Sequence, residues 1–165
     1  NAGAFGGETW ERVKSVETID RSGACRVRTP TEFDVGYRSV SGTPAEWFVG
    51  ATFEFAVDEL ANMDEITATL KNRSNSQPIG KLSCGSVFRN PKGQFAAQLI
   101  EQAGLKGASC GDAIVSEKHA NFVINRGSAT ASDIETLIET MLIQVERDSG
   151  IRLELEVKII GEKAL

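Results

Sequence analysis

The chain has 165 residues, 41% of them hydrophobic, and a formal net charge of −5. That is enough for one ordinary domain or two small ones with a packed core, and the acidic balance argues against a nucleic-acid partner held by overall electrostatics. No apolar run approaches the roughly 20 residues of a membrane span and no signal-peptide pattern opens the chain, so a cytoplasmic location and no membrane partner are expected.

Up to about residue 58, β-prone runs are separated by glycines: Trp10, Val13 and Val16, then Cys25 to Val27, then Phe48 to Val57 with partial alternation of apolar and polar residues. This part is predicted to be sheet. From Glu59 to Asn75, Leu60, Met63, Ile66 and Leu70 recur at the spacing of one apolar helix face, and Gln77-Pro78 ends the helix.

Ser83-Cys84-Gly85-Ser86-Val87-Phe88-Arg89-Asn90-Pro91 follows and is predicted to be a tight loop. Gly85 permits close backbone approach to a ligand, and Asn90-Pro91 keeps the following helix from starting early. Read alone, the segment is also an ordinary turn whose serines cap backbone groups. Phe95, Leu99, Ile100 and Leu105 then outline a short helix broken by Gly104 and Gly107.

Ala113 to Val115 and Asn121 to Asn125 are predicted to form a strand pair around the polar turn Ser116 to His119. A helix is predicted from Ser132 to Ser149, with Ser132 and Glu135 as a capping box, an apolar stripe from Ile134 to Val145, and Gly150 as the stop. A last strand is predicted from Ile151 to Ile160, where Leu153, Leu155, Val157 and Ile159 alternate with charged residues. The whole reads as an α+β chain in two parts, divided near residues 71–78.

Cys25, Cys84 and Cys110 lie far apart without a CxxC pair, and His119 is the single histidine. Neither a disulfide framework nor a multi-histidine metal site is expected.

Six segments carry the functional signal: Asn1-Ala2-Gly3-Ala4-Phe5-Gly6-Gly7-Glu8, Gly36-Tyr37-Arg38, Gly85 to Pro91, Gly104-Leu105-Lys106-Gly107, Val115 to Phe122, and Leu153-Glu154-Leu155-Glu156-Val157. Each alone is a weak signal. Their order and spacing, over essentially the whole chain, closely resemble the UDP-N-acetylenolpyruvoylglucosamine reductase family. The resemblance implies the C-terminal part of an FAD-binding α+β region over residues 1–75, a small α+β substrate-binding domain over 76–150, and a C-terminal strand over 151–165 that returns to the cleft with a catalytic glutamate. It also implies a further flavin-binding segment before Asn1.

The activity so implied is reduction of the enolpyruvyl group of UDP-N-acetylglucosamine-enolpyruvate to UDP-N-acetylmuramate, a step of peptidoglycan precursor synthesis, with NADPH reducing FAD. Ser86 matches the family's proton donor, Arg38 the arginine that faces the substrate carboxylate, and Glu156 the glutamate that stabilises the enolate form. Asn90, Tyr37, Lys118 and His119 match substrate-binding positions, while Asn1, Ala2, Gly3 and Gly6 fall in the flavin-contacting loop. Two departures stand out: Tyr37-Arg38 runs into Ser39-Val40 where the family commonly has Asp-Ser, and the segment between Arg38 and Ser86 is short. The second points to the branch without the extra tyrosine loop.

By their own chemistry these residues leave other readings open. Arg38 also suits a surface salt bridge, Tyr37 a packed ring, His119 a turn and Glu156 a solvated strand face. A non-catalytic UDP-sugar-binding module is the alternative function.

Overall fold

The computed structural model describes residues 1–4, 6–57 and 63–161, and the chain divides into two compact units, Asn1–Ile66 and Thr67–Leu165. Both mix helices or helical turns with antiparallel strands, so the fold is α+β.

The first unit opens with a hairpin of β1 (Gly3–Ala4) and β2 (Gly7–Glu8), followed by a 3-10 turn over Thr9–Arg12 that holds Trp10. β3 (Val13–Asp20) is the central strand of a sheet, flanked by β4 (Cys25–Arg28) and β7 (Glu46–Phe53). Val16 and Thr18 are buried on β3, as an alternating pattern requires of one face. Thr18 is polar, so its burial needs a partner: its hydroxyl donates to Glu46 at 2.7 Å. Arg28 grips the same carboxylate at 2.7 and 3.2 Å.

The short hairpin of β5 (Asp34–Gly36) and β6 (Ser39–Ser41) places Tyr37 and Arg38 at its tip. Arg38 has φ of 53°, a left-handed conformation that costs a side chain about 1–2 kcal/mol. The rings of Trp10, Phe33 and Phe48 meet with centroids 5.1 to 5.8 Å apart.

The helix predicted from Glu59 is observed as α1 (Met63–Ser76); Glu59 and Leu60 lie outside the described residues, as does Phe5. Its periodic stripe is not buried: Met63, Ile66 and Leu70 are 72, 52 and 56% exposed. Periodicity determines which side chains share a face, not what covers it.

In the second unit, β8 (Ser83–Ser86), β9 (Ser109–Cys110), β10 (Ala113–Val115) and β11 (Phe122–Asn125) form one antiparallel sheet in the order β8-β11-β10-β9. Two helices, α2 (Ala96–Gln102) and α3 (Ala131–Ser149), supply much of the core with Leu99, Ile100, Leu137, Ile138, Met141 and Val145. The predicted strand pair around Ser116 to His119 is β10 and β11, aligned Ala113 to Asn125.

Three local expectations are corrected. The first four residues of the predicted serine loop are the edge strand β8, because Ser83 and Ser86 pair with Ile124 and Phe122. The cap of α3 is Thr130, which accepts from Asp133 N–H at 3.1 Å while Asp133 accepts from Thr130 N–H at 2.8 Å; Ser132 lies inside the helix. Gly150, with φ of 71°, ends that helix as expected.

The third correction concerns the predicted final strand. Residues 151–160 form no regular strand and make one isolated bridge, between Phe88 and Leu155. Leu153 is buried and Val157 packs partly buried against the core, but Leu155 and Ile159 are exposed, so the alternating run meets the core only in part.

Candidate functional site

The residues singled out from the sequence fall into two groups, one in each unit. In the first unit, Arg38 reaches from its hairpin tip to the Glu8 carboxylate at 3.4 Å and to the Gly3 carbonyl at 3.4 Å, and its guanidinium lies over the Tyr37 ring at 5.0 Å. The hydrogen bonds are long, and a guanidinium so held keeps a planar fork suited to a carboxylate. Asn1 ties the chain start to this hairpin: its Nδ2 donates to Gly36 O at 3.1 Å and its Oδ1 accepts from Trp10 N–H at 3.4 Å. Asn1, Glu8, Trp10, Phe33, Gly36 and Tyr37 are among the residues around a concavity of about 590 Å³.

Gly3 is tightly covered, since a Cβ there would lie about 2.5 Å from the Glu8 carboxylate. Gly6 differs: it has φ of +85° and, among the described residues, nothing within 4 Å of a built Cβ, so backbone conformation rather than crowding calls for glycine.

In the second unit, Ser86 closes β8 directly after Gly85, whose φ is +80°. The segment after Ser86 is held from both sides. On one side, Val87 N–H donates to Asn121 O at 2.9 Å; on the other, Glu156 N–H donates to Val87 O at 2.8 Å and Arg89 N–H to Glu154 O at 2.9 Å. The structure therefore brings Ser86 and Glu156 onto adjacent stretches of backbone, although they are remote in sequence. Val87 and Phe88 are fully buried, which anchors the stretch in the core.

Asn90 caps α2: its Oδ1 accepts from Ala96 N–H at 3.0 Å. This long-range cap replaces one from Phe95, which occupies the N-cap position without a side-chain acceptor. Lys118 and His119 sit in a turn built by Ser116, whose buried hydroxyl accepts from their backbone N–H groups at 3.2 and 3.3 Å. The Lys118 ammonium donates to the Ser74 carbonyl near the end of α1. His119 lies edge-on to Phe122 with centroids 4.8 Å apart, and its Nδ1 is buried without a hydrogen-bond partner among the described residues. Burial, helped by the Lys106 charge, lowers its pKa below the ordinary 6.5, so the ring is neutral at neutral pH.

Sequence patterns alone did not single out Glu8, Ser116 or Asn121. Asn121 is 3% exposed; its Oδ1 accepts from Phe88 N–H at 3.0 Å and its Nδ2 donates to Phe88 O at 2.8 Å. The available signal was a polar residue opening the apolar run Phe122-Val123-Ile124, a place where a buried amide must find partners.

No helix among the described residues is long and apolar enough to cross a membrane. Residues 77–160 match the model of the UDP-N-acetylenolpyruvoylglucosamine reductase C-terminal domain. The chain is 56% identical to a UDP-N-acetylenolpyruvoylglucosamine reductase from Alkalilimnicola ehrlichii over 98% of its own length and 55% of the relative's. It is 55% identical to the reductase of the same name from Methylococcus capsulatus, covering 98% of this chain and 54% of that protein. The crystal structure of the reductase from Thermus caldophilus superposes with a TM-score of 0.80 at 33% identity, covering 96% of this chain and 56% of that one. The chain thus spans about half the length of the relatives it matches. With its C-terminal half matched by the family's own domain and its fold by a solved member, the chain belongs to the UDP-N-acetylenolpyruvoylglucosamine reductase family.

Proposed function

We propose that this chain forms the substrate-reducing part of an oxidoreductase that converts UDP-N-acetylglucosamine-enolpyruvate to UDP-N-acetylmuramate during peptidoglycan precursor synthesis. The observation that carries this reading is the Glu156 N–H to Val87 O bond at 2.8 Å, which sets a carboxyl-bearing residue beside the backbone of a hydroxyl donor, Ser86. A cytoplasmic location is part of the same reading, because NADPH and nucleotide sugars are cytosolic reactants.

The N-terminal hairpin fits FAD on one side. Ala2 and Gly6 are exposed, and among the described residues outside its chain neighbours nothing lies within 4 Å of a Cβ built on Gly6, so their backbone admits close approach of a flat ring system. Asn1 and Gly3, engaged with Gly36, Trp10 and Glu8, would shape the hairpin from behind. FAD held there and reduced by NADPH would supply the hydride for the methylene carbon of the enolpyruvyl group.

Ser86 delivers a proton from its hydroxyl to the neighbouring carbon, which bears the carboxylate, and recovers a proton from solvent afterwards. A neutral hydroxyl is a weak acid, so this step requires a strongly basic carbon and a fixed geometry. Arg38 holds the substrate carboxylate with its fork and stabilises the negative charge that spreads into it. Glu156 hydrogen-bonds the enolate-like form as a proton-sharing carboxyl. Lys118 and the neutral His119 donate to the diphosphate, Asn90 contributes its Nδ2 while its Oδ1 caps α2, and Tyr37 supports the carboxylate region beneath Arg38.

The test is a separation of half-reactions in the flavin-loaded enzyme. Ser86→Ala is expected to leave flavin reduction by NADPH intact and to slow reoxidation by the enolpyruvyl substrate by about 10³-fold or more. Equal slowing of both halves would remove Ser86 from the donor role. A preparation without flavin absorbance that still binds the UDP-sugar by calorimetry would instead favour the binding-module reading.

A further inference from the structure

We infer that Asn121 is a positioning residue for the Ser86 proton donor, its buried carboxamide holding the backbone after Ser86 in register with the Glu156 segment; this rests on the reduction proposed above.

The carboxamide acts as a substitute strand. The β8 to β11 ladder ends at the Ser86 to Phe122 pair, and beyond it Asn121 carries the pairing on with a donor and an acceptor side by side. Asn121 does so: Nδ2 and Oδ1 engage both backbone groups of Phe88 at 2.8 and 3.0 Å, while its own carbonyl takes Val87 N–H at 2.9 Å. The opposite edge of Val87 to Arg89 is taken by Glu154 and Glu156. Asn121 is thus the inner wall against which the Glu156 segment is aligned.

Geometry at Ser86 depends on that wall. Gly85, immediately before it, has φ of +80°, and on that side the chain is held by the Ser86 to Phe122 pairing of β8 with β11. On the other side the restraint comes from Val87 and Phe88. Proton transfer is steep in distance, and a displacement of about 1 Å can cost about 10²-fold. Aspartate at position 121 would keep the acceptor for Phe88 N–H and lose the donor to Phe88 O, and alanine would lose both.

The experiment compares the flavin-loaded enzyme with its Ser86→Ala, Asn121→Ala, Asn121→Asp and Ser86→Ala/Asn121→Ala variants. Asn121→Ala is expected to leave flavin reduction by NADPH unchanged, to slow reoxidation by the enolpyruvyl substrate by about 10–100-fold, and to shift that substrate's Kd less than about threefold. The double variant is expected to be no slower than Ser86→Ala, since a residue that acts through Ser86 has nothing left to act on. Apart from activity, the Phe88 amide is expected to exchange with deuterium faster in Asn121→Ala than in the parent. If Asn121→Ala does not fold, Asn121→Asp takes its place with the same expected pattern.

Multiplied losses in the double variant, or equal slowing of both half-reactions, would overturn the positioning role while leaving the Ser86 assignment standing. A Ser86→Ala variant of parental reoxidation rate would overturn both.

Discussion

The backbone N–H of Glu156 donates to the carbonyl of Val87 at 2.8 Å, so the residue after Ser86 and the proposed catalytic carboxyl residue share a main-chain hydrogen bond. Because the bond uses backbone atoms alone, replacing the Glu156 side chain leaves it in place. Glu156→Gln is therefore expected to keep this main-chain bond and to slow flavin reoxidation by the enolpyruvyl substrate by about 10²-fold, with flavin reduction intact. Stopped-flow absorbance at the flavin bands measures both.

Arg38 supplies the corresponding test in the first unit. Its fork reaches the Glu8 carboxylate and the Gly3 carbonyl while lying over Tyr37, and lysine keeps the charge but not the planar pair of donors. Arg38→Lys is expected to lower kcat/KM for the enolpyruvyl substrate by about 10²-fold. An unchanged value would show that charge alone is needed there.

His119 makes stability depend on pH near neutrality. Burial holds its pKa below 6.5 in the folded protein, so between the folded and unfolded values the unfolded chain binds more protons. Its contribution is present above about pH 6.5 and is lost as pH falls through the lowered folded value. The carboxylates of Glu32, Glu46 and Asp133, also held below their ordinary 4.5, 4.5 and 3.8, act in a separate window at lower pH. Urea midpoints measured between about pH 5 and 8 are expected to fall on acidification, and His119→Gln is expected to flatten that slope.

The start of α3 yields a stability test. Thr130→Ala removes the acceptor for Asp133 N–H and is expected to cost about 1 kcal/mol, whereas Ser132→Ala, inside the first turn, is expected to change little. Denaturant midpoints of the two variants decide between the caps. A loss confined to Ser132→Ala would contradict the observed cap geometry.

From the sequence, Ser132 is the expected cap, although Thr130 and Ser132 each stand three residues before an acidic side chain. Local spacing does not choose between them; the point at which the helix leaves the preceding chain does, and that is set by packing of Leu137, Ile138, Met141 and Val145. Similarly, the exposed stripe of α1 and the exposed Leu155 and Ile159 show that alternation and periodicity identify a face without providing its cover.

What the sequence determined by itself was the α+β character, the helix ending at Gly150, the β10 to β11 pair and, through its ordered motifs, the family. These rest on local periods, turn residues and spacing, which are carried by neighbouring positions. Only the tertiary structure decided that Ser86 and Glu156 lie on adjacent backbone and that Asn121 clamps Phe88. Those relationships join segments far apart in the chain, and they arise because buried backbone groups must find hydrogen-bond partners wherever the fold brings them.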